Sequence, residues 1–408
     1  MQVVVIPDHR AAVVTEMLWF KVGASDDPPG LSGMAHFFEH MMFRGTKANP
    51  GETYSDTIAK NGGDDNAFTT HDYTCFYEEI AKDRLKIAMA LEADRIANLD
   101  LSEPGLSAER EVVLEERRLR VDDNPESAFE EQMEAALHLS HAYGRPVIGW
   151  PEEVKRIGRT EAQTFFDRHY EPNNAILVLA GDITPDEARA DVADTLAKVP
   201  ARARVARAEF AEPPRLGETR MMVLNANAKV PYFSRIYRAV SYGDGETGEA
   251  EALDVLAQLL GADPSSALYR YLVVDKRLAT DVGATYDGMV RDAAEFSITA
   301  RPKPGVSLEA VERGIDAVMT RVAQAGPGTA ELARAKTGLV ASAVYRRDSQ
   351  SDLASAYGEA LAIGLTADDV EEWPKRIASV SVGDVKAAAQ SLVKREAVTG
   401  YLVPHGAR

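Results

Sequence analysis

At 408 residues the chain exceeds one ordinary core and divides naturally into two domains of about 200 residues. Its 46 Lys and Arg against 64 Asp and Glu leave a net charge of −18, which repels polyphosphate and anionic lipid and argues against nucleic acid as a partner. The single cysteine, Cys75, excludes an internal disulfide and a cysteine-rich zinc knuckle, so any metal must be held by histidines and carboxylates. No run approaches the roughly 18 apolar residues of a membrane span, and the start "MQVVVIPDHR" lacks a basic stretch followed by an apolar one. The compartment is left open between bacterial cytoplasm and, with a trimmed signal peptide, periplasm.

In chain order, "MQVVVIPDHRAAVVTEMLWFKVGA" gives two β-branched apolar runs broken by Pro7 and Asp8, which read as a strand pair. The turn-rich "SDDPPGLSG" leads into an apolar helix, "MAHFFEHMMF", with Ser32 as its expected N-cap and Gly33 in its first turn. After "NGGDDNAFTTHDYTCFYEEI", a turn and strand-like residues, a long helical region is expected from Asp83 to Val121 and another helix from Pro125 to Leu139. "NNAILVLAGDIT" reads as a short buried strand, and "PDEARADVADTLAKV" opens with proline at a helix start. Periodicity fades and Pro and Arg accumulate between Pro200 and Gly217, which places a first domain at 1–205, a linker at 206–217 and a second domain at 218–408. The second half repeats the element types of the first, with strands in "MMVLNANAKV" and "FSRIYRAVSY", a helix across "GEAEALDVLAQLLG" and helices from Ser307 onward, but no residue-level repeat.

His36 and His40 are four residues apart, so on a helix their imidazoles share one face and can reach one point, with Glu39 beside them. Spacing alone also fits a core or interface helix. The full string H-F-F-E-H, however, has the form of the H-x-x-E-H zinc motif. A third ligand must come from elsewhere. The acidic segment Ser107 to Arg120 offers Glu109, Glu111, Glu115 and Glu116; Glu109 and Glu116, seven apart, share a face that Val112 and Val113 mark as inward, while Glu111 and Glu115 read as solvated.

These residues resemble the pitrilysin/insulinase-type zinc metallopeptidases, which include the mitochondrial processing peptidase and bacterial two-chain relatives. That family's pattern is H-x-x-E-H with a further glutamate about 76 residues on, inside E-R-x-x-x-x-x-E; here Glu109-Arg110 opens such a string and Glu116, 76 residues beyond His40, closes it. "FRGT", "NAFTTHDYTCFY", "YGRPVIGW" and "YEPNNAILVLAGDI" are similar to family strings in the same order. The resemblance implies an α+β fold of two similar domains, each a mostly antiparallel sheet with helices on one face, together forming half of a clamshell. It implies one Zn²⁺ per chain held by His36, His40 and Glu116, with Glu39 as general base and Glu109 as a supporting acid. Asn66, Ala67 and Phe68 would form a strand edge where an extended peptide adds as a further strand. The other histidines, His9, His71, His138, His141, His169 and His405, read as structural or surface residues.

Two departures stand out. Active relatives use an Arg and a Tyr, in an R-x-x-x-x-x-x-Y string, to bind the substrate carbonyl; the matching stretch "VVDKRLATDVGATY" has Val274 and Asp281 at those places. Valine has no donor, and an ionised aspartate repels a developing oxyanion. The resemblance therefore implies a zinc endopeptidase subunit acting on peptides in an enclosed chamber, as a heterodimer with a homologous subunit that supplies Arg and Tyr. A catalytically silent structural subunit of the same fold is the alternative. Second, relatives carry several residues before a string like "QVVVIPDHR", which implies a shortened start.

Overall fold

The computed structural model describes residues 1–202, 206–214, 217–244, 248–395 and 397–405. The chain folds into two compact units, and neither is continuous. The first comprises residues 1–118, 145–210 and 346–370; the second comprises 119–144, 211–345 and 371–408. Residues 119–144 thus pack with the second unit, and 346–370 with the first, which a single linear boundary does not anticipate. Of the expected linker, Arg207 is bound to Asp26 and Ser25 in the first unit, and Glu212 accepts the backbone N–H groups of Leu139, Ser140 and His141 in the second. Residues 203–205 and 215–216, which belong to the same boundary region, lie outside the described residues.

In the first unit, strands β1 (Gln2–Pro7), β2 (Val13–Phe20), β3 (Asp64–Thr69), β4 (Thr74–Ala81) and β5 (Ala175–Gly181) form one sheet in the order β1-β5-β2-β4-β3. β1 and β5 are parallel and the other pairs antiparallel. The two opening runs are therefore both strands but not partners, because β5 lies between them. Its sequence, AILVLAG, is apolar at every position and buried throughout, as suits a strand covered on both faces. One face carries the main core, with Leu18, Phe20, Phe76, Leu177 and Leu179 under the helices. The other is covered by the helix Gln350–Ile363, which approaches so closely that a Cβ on Gly358 would lie 2.1 Å from the Trp19 indole nitrogen.

The long helical region breaks in two, Leu85–Asn98 and Glu103–Arg117, because Pro104 suits only the first turn of a new helix. The expected helix after Pro125 ends at Leu137.

In the second unit, β6 (Thr219–Asn225), β7 (Tyr232–Ala239), β8 (Ala279–Asp287), β9 (Ala294–Pro302) and β10 (Ala397–Pro404) pair in the order β6-β10-β7-β9-β8, again with only the first pair parallel. This is the connectivity of the first sheet, strand for strand. Here too a single helix, Pro125–Leu137, covers the second face, through Phe129 and Met133 against Ile236, Val398 and Leu402. Each unit is thus the expected α+β layer structure, with one helix added on the opposite face.

Candidate metal centre

The helix Met34–Met41 is fixed by its apolar side. Phe37, Phe38, Met34 and Met41 are fully buried, and Phe38 packs on Phe165, Phe166 and Tyr170. Its N-cap residue is Gly33, at φ +85°, and not Ser32. The side-chain cap comes from Asp27, whose two carboxylate oxygens accept the N–H groups of Gly33 at 2.7 Å and Ala35 at 2.9 Å. Ser32 instead accepts the Trp150 N–H through its hydroxyl at 2.9 Å and donates its own N–H to Glu153 at 2.7 Å.

The loop bearing Trp150 holds both helices of the site. Gly149, at φ +83°, lies against the start of the helix Met34–Met41 so tightly that a Cβ there would meet the Ser32 carbonyl at 2.4 Å. The Gly149 carbonyl in turn accepts the Arg117 Nη1 donor at 2.9 Å, one residue beyond Glu116 on the helix Glu103–Arg117. The string YGRPVIGW is therefore a clasp that fixes one helix relative to the other. Arg145 of the same string donates to the Asp27 carbonyl at 2.9 Å.

So held, the side chains converge. Glu116 Oε2 is 3.0 Å from His40 Nε2 and 3.6 Å from His36 Nε2, and the imidazole centroids are 4.8 Å apart. Ligands about 2.0–2.1 Å from a tetrahedral ion stand about 3.3 Å from one another, so two imidazole nitrogens and one carboxylate oxygen at these separations fit zinc in donor type and spacing. Among the described residues, His36, His40 and Glu116 are the group of metal-binding side chains whose ligand atoms lie close enough together, within 4.8 Å.

His40 Nδ1 lies 2.9 Å from Glu109 Oε1. Burial raises the Glu109 pKa, but the His40 and Arg44 hydrogen bonds more than offset it and hold the carboxylate below its ordinary range. An ionised acceptor requires Nδ1 to carry the proton, which leaves Nε2 to face Glu116 and a metal. Without metal, burial depresses the His40 pKa, while hydrogen bonds to Glu109 and Glu116 outweigh it and raise the ring to about 9.

Glu39, half-buried on the same helix, accepts the Thr69 hydroxyl at 2.6 Å. Thr69 ends β3, the edge strand, on which Asn66, Ala67 and Phe68 pair with Tyr77, Phe76 and Cys75 of β4. The Asn66 Oδ1 accepts the Ala67 N–H at 2.8 Å. Glu111 and Glu115 are exposed, as expected; Val112 is also exposed, and only Val113 marks the inward face.

The sequence pattern of Insulinase (Peptidase family M16) matches residues 2–150, and that of the Peptidase M16 inactive domain matches residues 156–339. An uncharacterized zinc protease of Mycobacterium tuberculosis is 30% identical over 406 residues, 98% of this chain and 90% of that protein. The chain belongs to the M16 (insulinase) peptidase family. An M16 fold is also what the solved structures show. A protease from Helicobacter pylori superposes with a TM-score of 0.92 at 25% identity, over 98% of this chain and 97% of that one. Pitrilysin superposes with a TM-score of 0.81 at 19% identity, over 98% of this chain but only 43% of its own.

Within this M16 chain the second unit holds Val274 and Asp281, the two positions that depart from the Arg/Tyr string. Val274 is exposed in the wide helical turn Tyr269–Asp275, and Asp281 lies on β8 with its carboxylate 3.3 Å from Arg301. Neither position carries a hydrogen-bond donor suited to an oxyanion. Sequence reasoning missed Asp27, Arg44, Thr69 and Arg117. Arg44 and Thr69 lay in strings similar to the family's, without a physical role attached, while Asp27 lay in the turn-rich "SDDPPGLSG" and Arg117 in the acidic segment Ser107 to Arg120.

Proposed function

We propose that this chain is the zinc-bearing subunit of an M16 endopeptidase that hydrolyses peptides or oligopeptides in an enclosed chamber, with a homologous second subunit supplying an Arg/Tyr pair. The observation that carries the proposal is the convergence of His36, His40 and Glu116 beside Glu39, which Thr69 ties to the edge strand β3. Zinc bound by His36, His40 and Glu116 would polarise the scissile carbonyl and acidify water at the site.

The protein's own groups then do the following. Glu39 accepts the proton of the attacking water and returns it to the leaving amine. The Thr69 hydroxyl keeps the Glu39 carboxylate aimed beside β3. The backbone of Asn66, Ala67 and Phe68 binds the peptide as a sixth strand, through main-chain groups that make little demand on sequence. Glu109 holds the His40 ring in the tautomer that presents Nε2.

Val274 and Asp281 leave the oxyanion side to another chain, in keeping with a chain that spans less than half of pitrilysin. The same two residues favour a second reading, a structural subunit that binds zinc and hydrolyses nothing. Hydrolysis of a quenched-fluorescent peptide library separates them. With a partner carrying Arg and Tyr, the wild-type chain should cleave, and Glu39→Gln should keep its zinc while losing about 10²- to 10⁴-fold in rate. Full activity of the chain alone would overturn the partner proposal; no cleavage with any such partner would favour the structural subunit.

A further inference from the structure

The string Phe43-Arg44-Gly45-Thr46, which immediately follows the metal helix, takes no part in the chemistry above. Its conformation is nevertheless tightly specified. Gly45, at φ +84°, has no room for a side chain, since a Cβ would sit 2.2 Å from the Asn49 carbonyl. The Thr46 hydroxyl accepts the N–H groups of Ala48 and Asn49 at 3.2 and 3.0 Å and donates to Asp94 at 2.5 Å. Backbone bonds from Gly51 to the Arg44 carbonyl (3.1 Å) and from Asp100 to the Gly45 carbonyl (3.1 Å) close the turn on both sides.

The product of this turn is the placement of one side chain. Arg44 Nε donates to Glu109 Oε2, while Glu109 Oε1 faces His40 Nδ1 at 2.9 Å. Glu109 is only 1% exposed, so each of its oxygens is committed to one of the two partners. A buried carboxylate with one charged donor removed can rotate or shift towards water, and the imidazole it orients would lose its fixed setting.

Resting on the zinc site proposed above, we infer that Arg44 is a positioning residue for the metal centre: the turn after the metal helix locks its guanidinium on Glu109, and through Glu109 sets the His40 ring for metal. The side-chain partners of Arg44 are Glu109 and Glu52, and none of the three proposed ligands is among them, so its effect on zinc must run through Glu109. Its guanidinium is part-exposed, with Glu52 4.0 Å away, so removing it leaves no buried cavity.

The test is a zinc titration of the full-length chain against a chromophoric chelator, with thermal unfolding of the metal-free variants as a control for folding. Arg44→Ala should weaken zinc binding about tenfold while the metal-free chain, though less stable for the stranded Glu109 oxygen, stays fully folded at the titration temperature, and Arg44→Lys, which restores a cation towards Glu109, should recover most of the loss. In a Glu109→Gln background, Arg44→Ala should cost nothing further. Wild-type zinc affinity in Arg44→Ala, no recovery by Arg44→Lys, or losses that add fully with Glu109→Gln would each overturn the inference. A wild-type chain that binds no zinc would overturn the metal site itself, and this inference with it.

Discussion

At the scale of single residues the site is a competition for one nitrogen. In the metal-free chain His40 is bonded at both ring nitrogens, to Glu109 at 2.9 Å and to Glu116 at 3.0 Å, and its pKa of about 9 stands above the ordinary 6.5. The charged ring therefore stabilises the metal-free fold in full below pH 6.5, and that contribution fades as pH rises through about 9. Zinc requires Nε2 without its proton, so its affinity has the opposite sign. Chelator-competition titrations should show zinc affinity rising about tenfold per pH unit between pH 6.5 and about 9 and then levelling. A flat profile over that window would mean that His40 gives up no proton on binding. The pairing of His36 with His40 was legible in sequence because that geometry is local, whereas Glu116, on another helix 76 residues beyond His40, was singled out only by the family resemblance. Residues four or seven apart on a helix share a face whatever surrounds them.

At the scale of elements, the two helices owe their setting to a loop that returns about 30 residues beyond Glu116 and more than a hundred beyond His40 in sequence. Gly149→Ala would drive a methyl group into the Ser32 carbonyl and force a side chain into a left-handed backbone. We expect a loss of about 1–3 kcal/mol in stability, together with weaker zinc binding, since both ligand-bearing helices hang from this clasp. Gly62→Ala is the control. It shares a positive φ, +76°, but has nothing within 4 Å of its would-be Cβ, so thermal unfolding should show only the smaller backbone cost and zinc titration no change. Equal effects from the two substitutions would show that the close contact at Gly149 does not matter. This layer was poorly legible in sequence. Ser32 stands where an N-cap belongs, yet Asp27 folds back from the preceding turn to do that work, and nothing in local propensity reports a contact made by a returning loop. Val112 likewise satisfied the apolar pattern while facing solvent.

At the scale of the whole molecule, two sheets share one connectivity while their helices have diverged in use. The first helix after β2 carries His36, Glu39 and His40; the helix Glu249–Gly261 after β7 carries no histidine and buries Leu253, Leu256 and Leu260. The duplication was visible in the order of elements and invisible in residues, because a sheet needs only alternation and burial to repeat, whereas a metal site needs particular side chains. The insertion of β5 between β1 and β2, and the assignment of residues 346–370 to the first unit, were not legible because both depend on pairing across more than a hundred residues. The proposed metal site lies wholly within the first unit. Anomalous diffraction at the zinc edge from crystals of the zinc-loaded protein tests it most directly. The account predicts one zinc per chain, bound to the Nε2 atoms of His36 and His40 and to a Glu116 carboxylate oxygen, with His40 Nδ1 still on Glu109. A zinc bound elsewhere, or bound at this position without Glu116, would contradict it.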